Sequence, residues 1–114
     1  MKTYQHKELA AGRWARMPLV DQLANIGSEV ERALNWKAKN NPDYSLRAAE
    51  RALELSDLSL ASSWKFPQLK EIARLREILS DYFYGLNEHG STEASLRKYF
   101  APFYYAARRH VQIT

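Results

Sequence analysis

The sequence predicts an all-α chain: an antiparallel four-helix bundle with a partly ordered N-terminal arm. Three observations carry that expectation. Apolar residues recur at steps of three and four through four separate stretches, no stretch of any length alternates with the period of two that a strand needs, and proline, asparagine and glycine punctuate the joins. Short joins between long helices favour antiparallel neighbours. Residues 1–16 are expected to form a basic N-terminal arm and residues 17–114 the bundle.

The arm has no clean period, and a short helical turn is expected around Lys7 to Ala11. From Pro18 to about Lys39 the positions Leu19, Leu23, Ile26, Val30, Ala33 and Lys37 follow alternating steps of four and three until the last turns polar. Pro18 starts this first helix, and Asn40, Asn41 and Pro42 stop it. Gly27 lies beside its buried stripe. A glycine inside a helix costs roughly 1 kcal/mol relative to alanine, so close approach of another helix is the expected compensation.

The second helix is expected from Pro42 or Asp43 to about Ser62, with Asn41 as its N-cap. Its small residues Ala48, Ala49 and Ala52 precede the larger Leu53, Leu55, Leu58 and Leu60, giving a thin end and a thick one. Arg47 with Glu50, and Arg51 with Glu54, stand at the favourable spacing of three. In the connection that follows, Trp64 and Phe66 are too apolar to be left wholly in water and are expected to close one end of the core.

The third stretch, QLKEIARLREILSDYFYG over residues 68–85, has the clearest pattern: Leu69, Ile72, Leu75, Ile78, Leu79, Tyr82 and Phe83 share one side. Pro67 suits its first helical position and Gly85 a left-handed closing turn. Ser91 or Thr92 is placed to cap the fourth helix, which repeats Leu96, Tyr99, Phe100, Phe103, Ala106, Ala107 and His110. Pro102 removes the hydrogen bond to Lys98 and is expected to kink that helix or split it after Phe100.

Composition narrows the function classes. One hundred and fourteen residues is the size of one domain, long enough to close a core without staples, and one domain is expected. With no cysteine it has no disulfide framework, thiolate zinc site or cysteine nucleophile of its own. It lacks an apolar run of about eighteen residues to span a bilayer, and its first residues lack a secretory pattern, so no membrane role and a cytoplasmic location are expected. His6, His89 and His110 are scattered, and no HExxH, phosphate-cradling glycine loop or GxSxG elbow is present. No catalytic residue, metal site or cofactor is therefore assigned, and the chain is expected not to be an enzyme. A helical RNase group of similar size, the HEPN proteins, places an arginine four to six residues before a histidine on its last helix. Here Arg108 and Arg109 stand directly beside His110.

Charge is more informative in its placing than in its net value of +4. Residues 1–16 carry four basic side chains against one acidic, residues 91–114 again four against one, and the remainder nine against eleven. In an up-and-down bundle both chain ends emerge together, so two weak clusters would act as one on a polyanion. The candidate nucleic-acid-binding cations are Lys2, Lys7, Arg13, Arg16, Arg97, Lys98, Arg108 and Arg109, with Trp14, Tyr104 and Tyr105 as candidate stacking rings. For the two tyrosines an oligomer interface or a simple cap on the core stands equal to base stacking. The flank of Asp21, Asn25, Glu29, Arg32 and Trp36 on the first helix reads as a border of hydrogen bonds and ion pairs, and Asp57 and Asp81 as solvated or pairing carboxylates.

The words ANIGSEVERA, NPDYSLRAAERALELSDL, LKEIARLREILSDYF and YYAAR resemble a group of small, uncharacterised bacterial helical proteins. In size, helical pattern and basicity the chain is similar to the four-helix-bundle family of 23S rRNA intervening sequences and to the accessory variability proteins of diversity-generating retroelements. The resemblance implies a cytoplasmic, ring-forming bundle whose positive surface holds RNA, alongside a reverse transcriptase. It transfers no residue. The expectation is a non-catalytic homo-oligomer that binds nucleic acid, RNA favoured. The alternative is a protein-interaction adaptor with no nucleic-acid role.

Overall fold

The computed structural model describes residues 12–62 and 64–113. Four long helices make up most of them: α1 (Leu19–Ala38), α2 (Pro42–Leu60), α3 (Phe66–Tyr84) and α4 (Glu93–Ile113). A single helical turn, residues 12–15, precedes α1, and no strand occurs among the described residues. The expected turn at Lys7 to Ala11 lies outside them.

Each boundary has a local cause. Pro18 holds an extended backbone just ahead of α1, and Asn40, with φ of 61°, ends the turn that follows it. The Asn41 side chain accepts the Tyr44 N–H at 3.1 Å and so caps α2, with Pro42 at the first helical position where its missing N–H is harmless. α3 begins one residue ahead of Pro67: Gln68 reaches back to the Lys65 N–H at 3.0 Å. Thr92 and Ser95 exchange backbone-to-hydroxyl bonds of 2.9 Å at the start of α4.

The expected left-handed closure at Gly85 and the expected split of the last helix after Phe100 are corrected. Gly85 is extended rather than left-handed, with φ of −107°, and the positive φ values fall on Asn87 and Gly90 instead. A Cβ at 85 would stand 3.1 Å from the Asp81 carbonyl oxygen, a tight contact that the neighbour would have to yield to by a few tenths of an ångström. Pro102 lies inside α4, which continues unbroken to Ile113. Its face, with Lys98 and Ala101, is exposed, so the carbonyl that loses its partner there can bond to water.

Cross-helix hydrogen bonds fix the directions. Ser45 Oγ donates to the Ala33 carbonyl at 2.8 Å and Ser59 Oγ to Gln22 Oε1 at 2.6 Å, so α1 and α2 run antiparallel. Arg76 pairs with Asp57, and Tyr84 Oη donates to the Leu46 carbonyl at 3.0 Å, so α3 runs antiparallel to α2. α4 returns beside α1, with Arg97 against Glu31 and Phe100 against Gly27. The result is a bundle-like body with a proximal pole, where α1 and α3 begin and α2 and α4 end, and a distal pole opposite.

The core sits between all four helices. Ile26, Val30, Leu34, Leu79 and Phe100 are each at most 2 % exposed, and the fully buried Ala48, Ala49 and Ala52 let the thin end of α2 approach its neighbours. Gly27 answers its sequence expectation: the Phe100 ring lies where a Cβ would be, 2.7 Å away. α3 and α4 are instead joined by side chains such as Tyr99 Oη donating to Glu71 Oε2 at 2.9 Å, and a groove of about 430 Å³ remains between them, lined by Leu75, Ile78, Leu96 and Tyr99. No helix among the described residues is long and apolar enough to cross a membrane.

Candidate nucleic-acid interface

The proximal pole is assembled on one serine. Ser59, buried near the end of α2, accepts from the Trp14 indole at 2.9 Å through its hydroxyl and donates that hydroxyl's proton to Gln22. Gln22, itself fully buried, returns its amide to the carbonyls of Trp14 at 2.9 Å and Met17 at 3.2 Å. The Ser59 carbonyl accepts the Trp64 indole at 2.9 Å. Every polar group in this cycle finds a partner, which is what makes its burial tolerable. Two segments far apart in the chain, 12–17 and 64–66, are therefore held at one corner.

This arrangement sorts the sequence candidates. Arg13 and Arg16 are exposed on the docked segment between the arm and α1. Arg108 and Arg109 are exposed near the end of α4, which runs back beside the start of α1. Tyr105 is 64 % exposed, and the Arg109 guanidinium stands 5.9 Å from its ring centroid. Lys98 is exposed too but lies seven residues before Tyr105, about 10 Å along the helix and away from the pole. Lys2 and Lys7 lie outside the described residues, as does the side chain of His110.

Three candidates are corrected. Trp14 is only 8 % exposed and belongs to the core, because its indole has found an internal acceptor in Ser59; its ring has no face left for a base. Arg97 is a clamp between helices, held by Glu31 at 2.9 Å, Glu93 at 2.6 Å and Asn35 at 2.9 Å. The two carboxylates raise its pKa further, Glu93 first, so its charge is permanent but already spent. Tyr104 is half-buried over Gly27, and burial pushes its phenol up to about 12, with the Glu31 charge adding to the shift. Only Tyr105 of the three rings is open.

The sequence reading missed Lys65, Phe66 and Lys70. All three are exposed at the start of α3, which the antiparallel order brings to the proximal pole. Phe66 does not close the core as expected but is 74 % exposed, while Trp64 turns inward. The pole thus presents six cations, Arg13, Arg16, Lys65, Lys70, Arg108 and Arg109, none within 4 Å of a carboxylate among the described residues. Two open rings, Phe66 and Tyr105, accompany them.

The other polar features are structural. Glu29 receives Arg32 at 2.8 Å and Arg51 at 3.3 Å, so Arg51 bridges to α1 rather than pairing with Glu54; on that flank Glu29 and Arg32 form the expected ion pair, while the buried Asp21 Oδ1 has no partner among the described residues. Arg47 lies over the Tyr44 ring instead of pairing with Glu50. Asp81 accepts the N–H groups of Glu88 and His89, each at 2.9 Å, and those bonds, that of His89 foremost, hold its carboxyl below the ordinary value. Among the described residues no three histidine or carboxylate side chains gather as a metal site would need.

No protein-family model, curated protein or solved structure matches the chain.

Proposed function

We propose that the chain is a non-catalytic, self-associating four-helix bundle that binds nucleic acid, RNA favoured, across its proximal pole. The observation that supports this reading is that the antiparallel order brings six cations without carboxylate partners among the described residues, and two exposed rings, to one pole. Guanidinium and ammonium groups hold phosphates, while an open ring offers a face to an unstacked base, so a single strand is the form this surface suits. The preference for RNA over single-stranded DNA rests on the resemblance, as does an adjoining reverse transcriptase or other RNA-processing machinery.

Fluorescence anisotropy of a labelled single-stranded RNA, titrated at several potassium chloride concentrations, tests the reading. If about four phosphates are engaged, log affinity falls against log salt with a slope of roughly −3. Lys65→Glu combined with Arg108→Glu weakens binding at least about tenfold at low salt, whereas Lys98→Glu alone has a much smaller effect. A slope near zero removes phosphate contacts and with them the proposal.

A second reading, a protein-interaction adaptor, draws on the exposed Tyr44, Leu46, Tyr84 and Leu86 at the distal pole. It predicts a complex that survives high salt, since apolar burial is not screened.

A further inference from the structure

Arg13 and Arg16 reach the proximal pole by a thin attachment. In residues 12–17, ahead of α1, Gly12, Arg13, Ala15 and Arg16 are exposed, Met17 is half-buried and Trp14 alone is buried. Among the described residues the segment's backbone bonds, Arg16 N–H to the Arg13 carbonyl at 3.3 Å and Met17 N–H to the Trp14 carbonyl at 3.0 Å, stay inside it. Its one hydrogen bond to α2 among them is the Trp14 indole on the Ser59 hydroxyl, while Gln22 holds the Trp14 and Met17 carbonyls from α1. Arg13 and Arg16 stand three apart and so share one side of the turn. With the indole seated, both guanidinium groups are fixed at the pole; with it released, they move on a tether.

Ser59 treats its two tryptophans differently. Trp14 uses the side-chain hydroxyl, whereas Trp64, beside Lys65 and Phe66, donates to the main-chain carbonyl. A change of that side chain therefore withdraws the seat of Arg13 and Arg16 and leaves in place the acceptor that holds the Lys65 segment. The hydroxyl lies 2.6 Å from Oε1 of the fully buried Gln22, and a buried cycle with every partner satisfied holds one arrangement rather than several. Cations held in one arrangement lose less freedom on meeting a phosphate than tethered ones.

We infer that Ser59 and Gln22 are positioning residues for nucleic-acid binding: by seating Trp14 they fix Arg13 and Arg16 among the phosphate-binding groups. The inference rests on the proposed function and deepens it, naming how part of that surface is assembled. The linkage is reciprocal, because a seat that favours the strand is favoured by the strand.

Two measurements on the full chain test it, with the labelled single-stranded RNA of the anisotropy titration as probe. In the wild type, saturating RNA should raise the protection of the Trp14 indole N–H against exchange, and Arg13→Gln with Arg16→Gln should abolish the rise. No rise, or one that survives loss of both arginines, overturns the inference without touching the core. In a double-mutant cycle, the paired arginine substitution should flatten the salt slope by about 1.4, from two contacts at about 0.7 each. With Ser59→Ala already present it should change affinity by less than about twofold further, whereas Lys65→Gln should cost the same in both backgrounds. A serine that only stabilises the fold would leave its effect and that of the arginines additive. Additivity, or a Trp14 indole as protected in Ser59→Ala as in the wild type, overturns the inference and leaves the proposed function standing. A wild type with no salt slope removes the proposed function and the inference together.

Discussion

Replacing Gly27 by alanine sets two terms of opposite sign against each other. Removing a glycine from a helix interior stabilises it by about 1 kcal/mol where nothing crowds the new methyl. At this position the methyl would lie 2.7 and 2.8 Å from two atoms of the Phe100 ring and 2.6 Å from the Tyr104 hydroxyl. Tyr104 can swing its end aside. Phe100 cannot, since it is 1 % exposed and packed on every side, and carbon atoms in contact need about 3.5 Å or more. The ring must retreat by nearly an ångström into a full core, an overpacking at the upper end of the usual range, about 2–3 kcal/mol, which less the propensity gain of about 1 leaves a net loss of about 1–2. For a chain of this size that lowers the melting temperature by roughly 5–10 °C, measurable by circular dichroism with urea unfolding as a second scale. Phe100→Leu in the Gly27→Ala background should cost less than in the wild type, because the two positions compete for one space. A melting temperature that rises on Gly27→Ala would refute the close packing of α1 against α4.

Ser59→Ala strips the buried Gln22 oxygen of its donor and the Trp14 indole of its acceptor, and should destabilise the chain by about 2–3 kcal/mol in urea unfolding. The Tyr104 phenol, pushed up to about 12 by burial, holds its proton more tightly folded than unfolded. Its contribution to stability is complete below pH ~10 and is lost as pH rises toward 12, so melting temperatures should fall across that interval and Tyr104→Phe should blunt the fall. Asp81 shows the opposite sign: its carboxyl is held low by the His89 and Glu88 N–H groups, so the anchoring of residues 85–90 is present above pH ~4 and lost as pH drops below the folded value. The protection factors of the Glu88 and His89 amides, measured against intrinsic exchange, should fall there, and should already be lost at neutral pH in Asp81→Ala.

The helices themselves were written in local pattern, which is why their positions, the Asn41 cap and the tight place at Gly27 could be read directly. Those features depend on residues within a turn or two of each other, or on a single type whose cost demands a reason. What escaped the sequence was settled at long range. Trp14 reads as an available ring until Ser59, forty-five positions later, supplies an acceptor for its indole. Arg97 reads as a cation of the basic chain end, yet Glu31 lies sixty-six positions earlier and neutralises it. Lys65 and Lys70 vanish into a middle stretch of negative balance when charge is counted along the chain, and only the antiparallel order of the helices joins them to Arg108 and Arg109. Phe66 and Trp64 are near neighbours of similar character, and no local rule says which turns inward. Gly85 misled for another reason: its backbone is extended rather than left-handed, and what distinguishes the position is a close approach to the Asp81 carbonyl.

The sharing of Ser59 by two tryptophans also redraws where the folding unit starts. Helix boundaries alone would cut the chain at Pro18, yet a fragment begun there would leave the serine hydroxyl without its donor and open a hole the size of an indole beside Gln22. The smallest piece that keeps its seal is the one whose first residues still include Trp14.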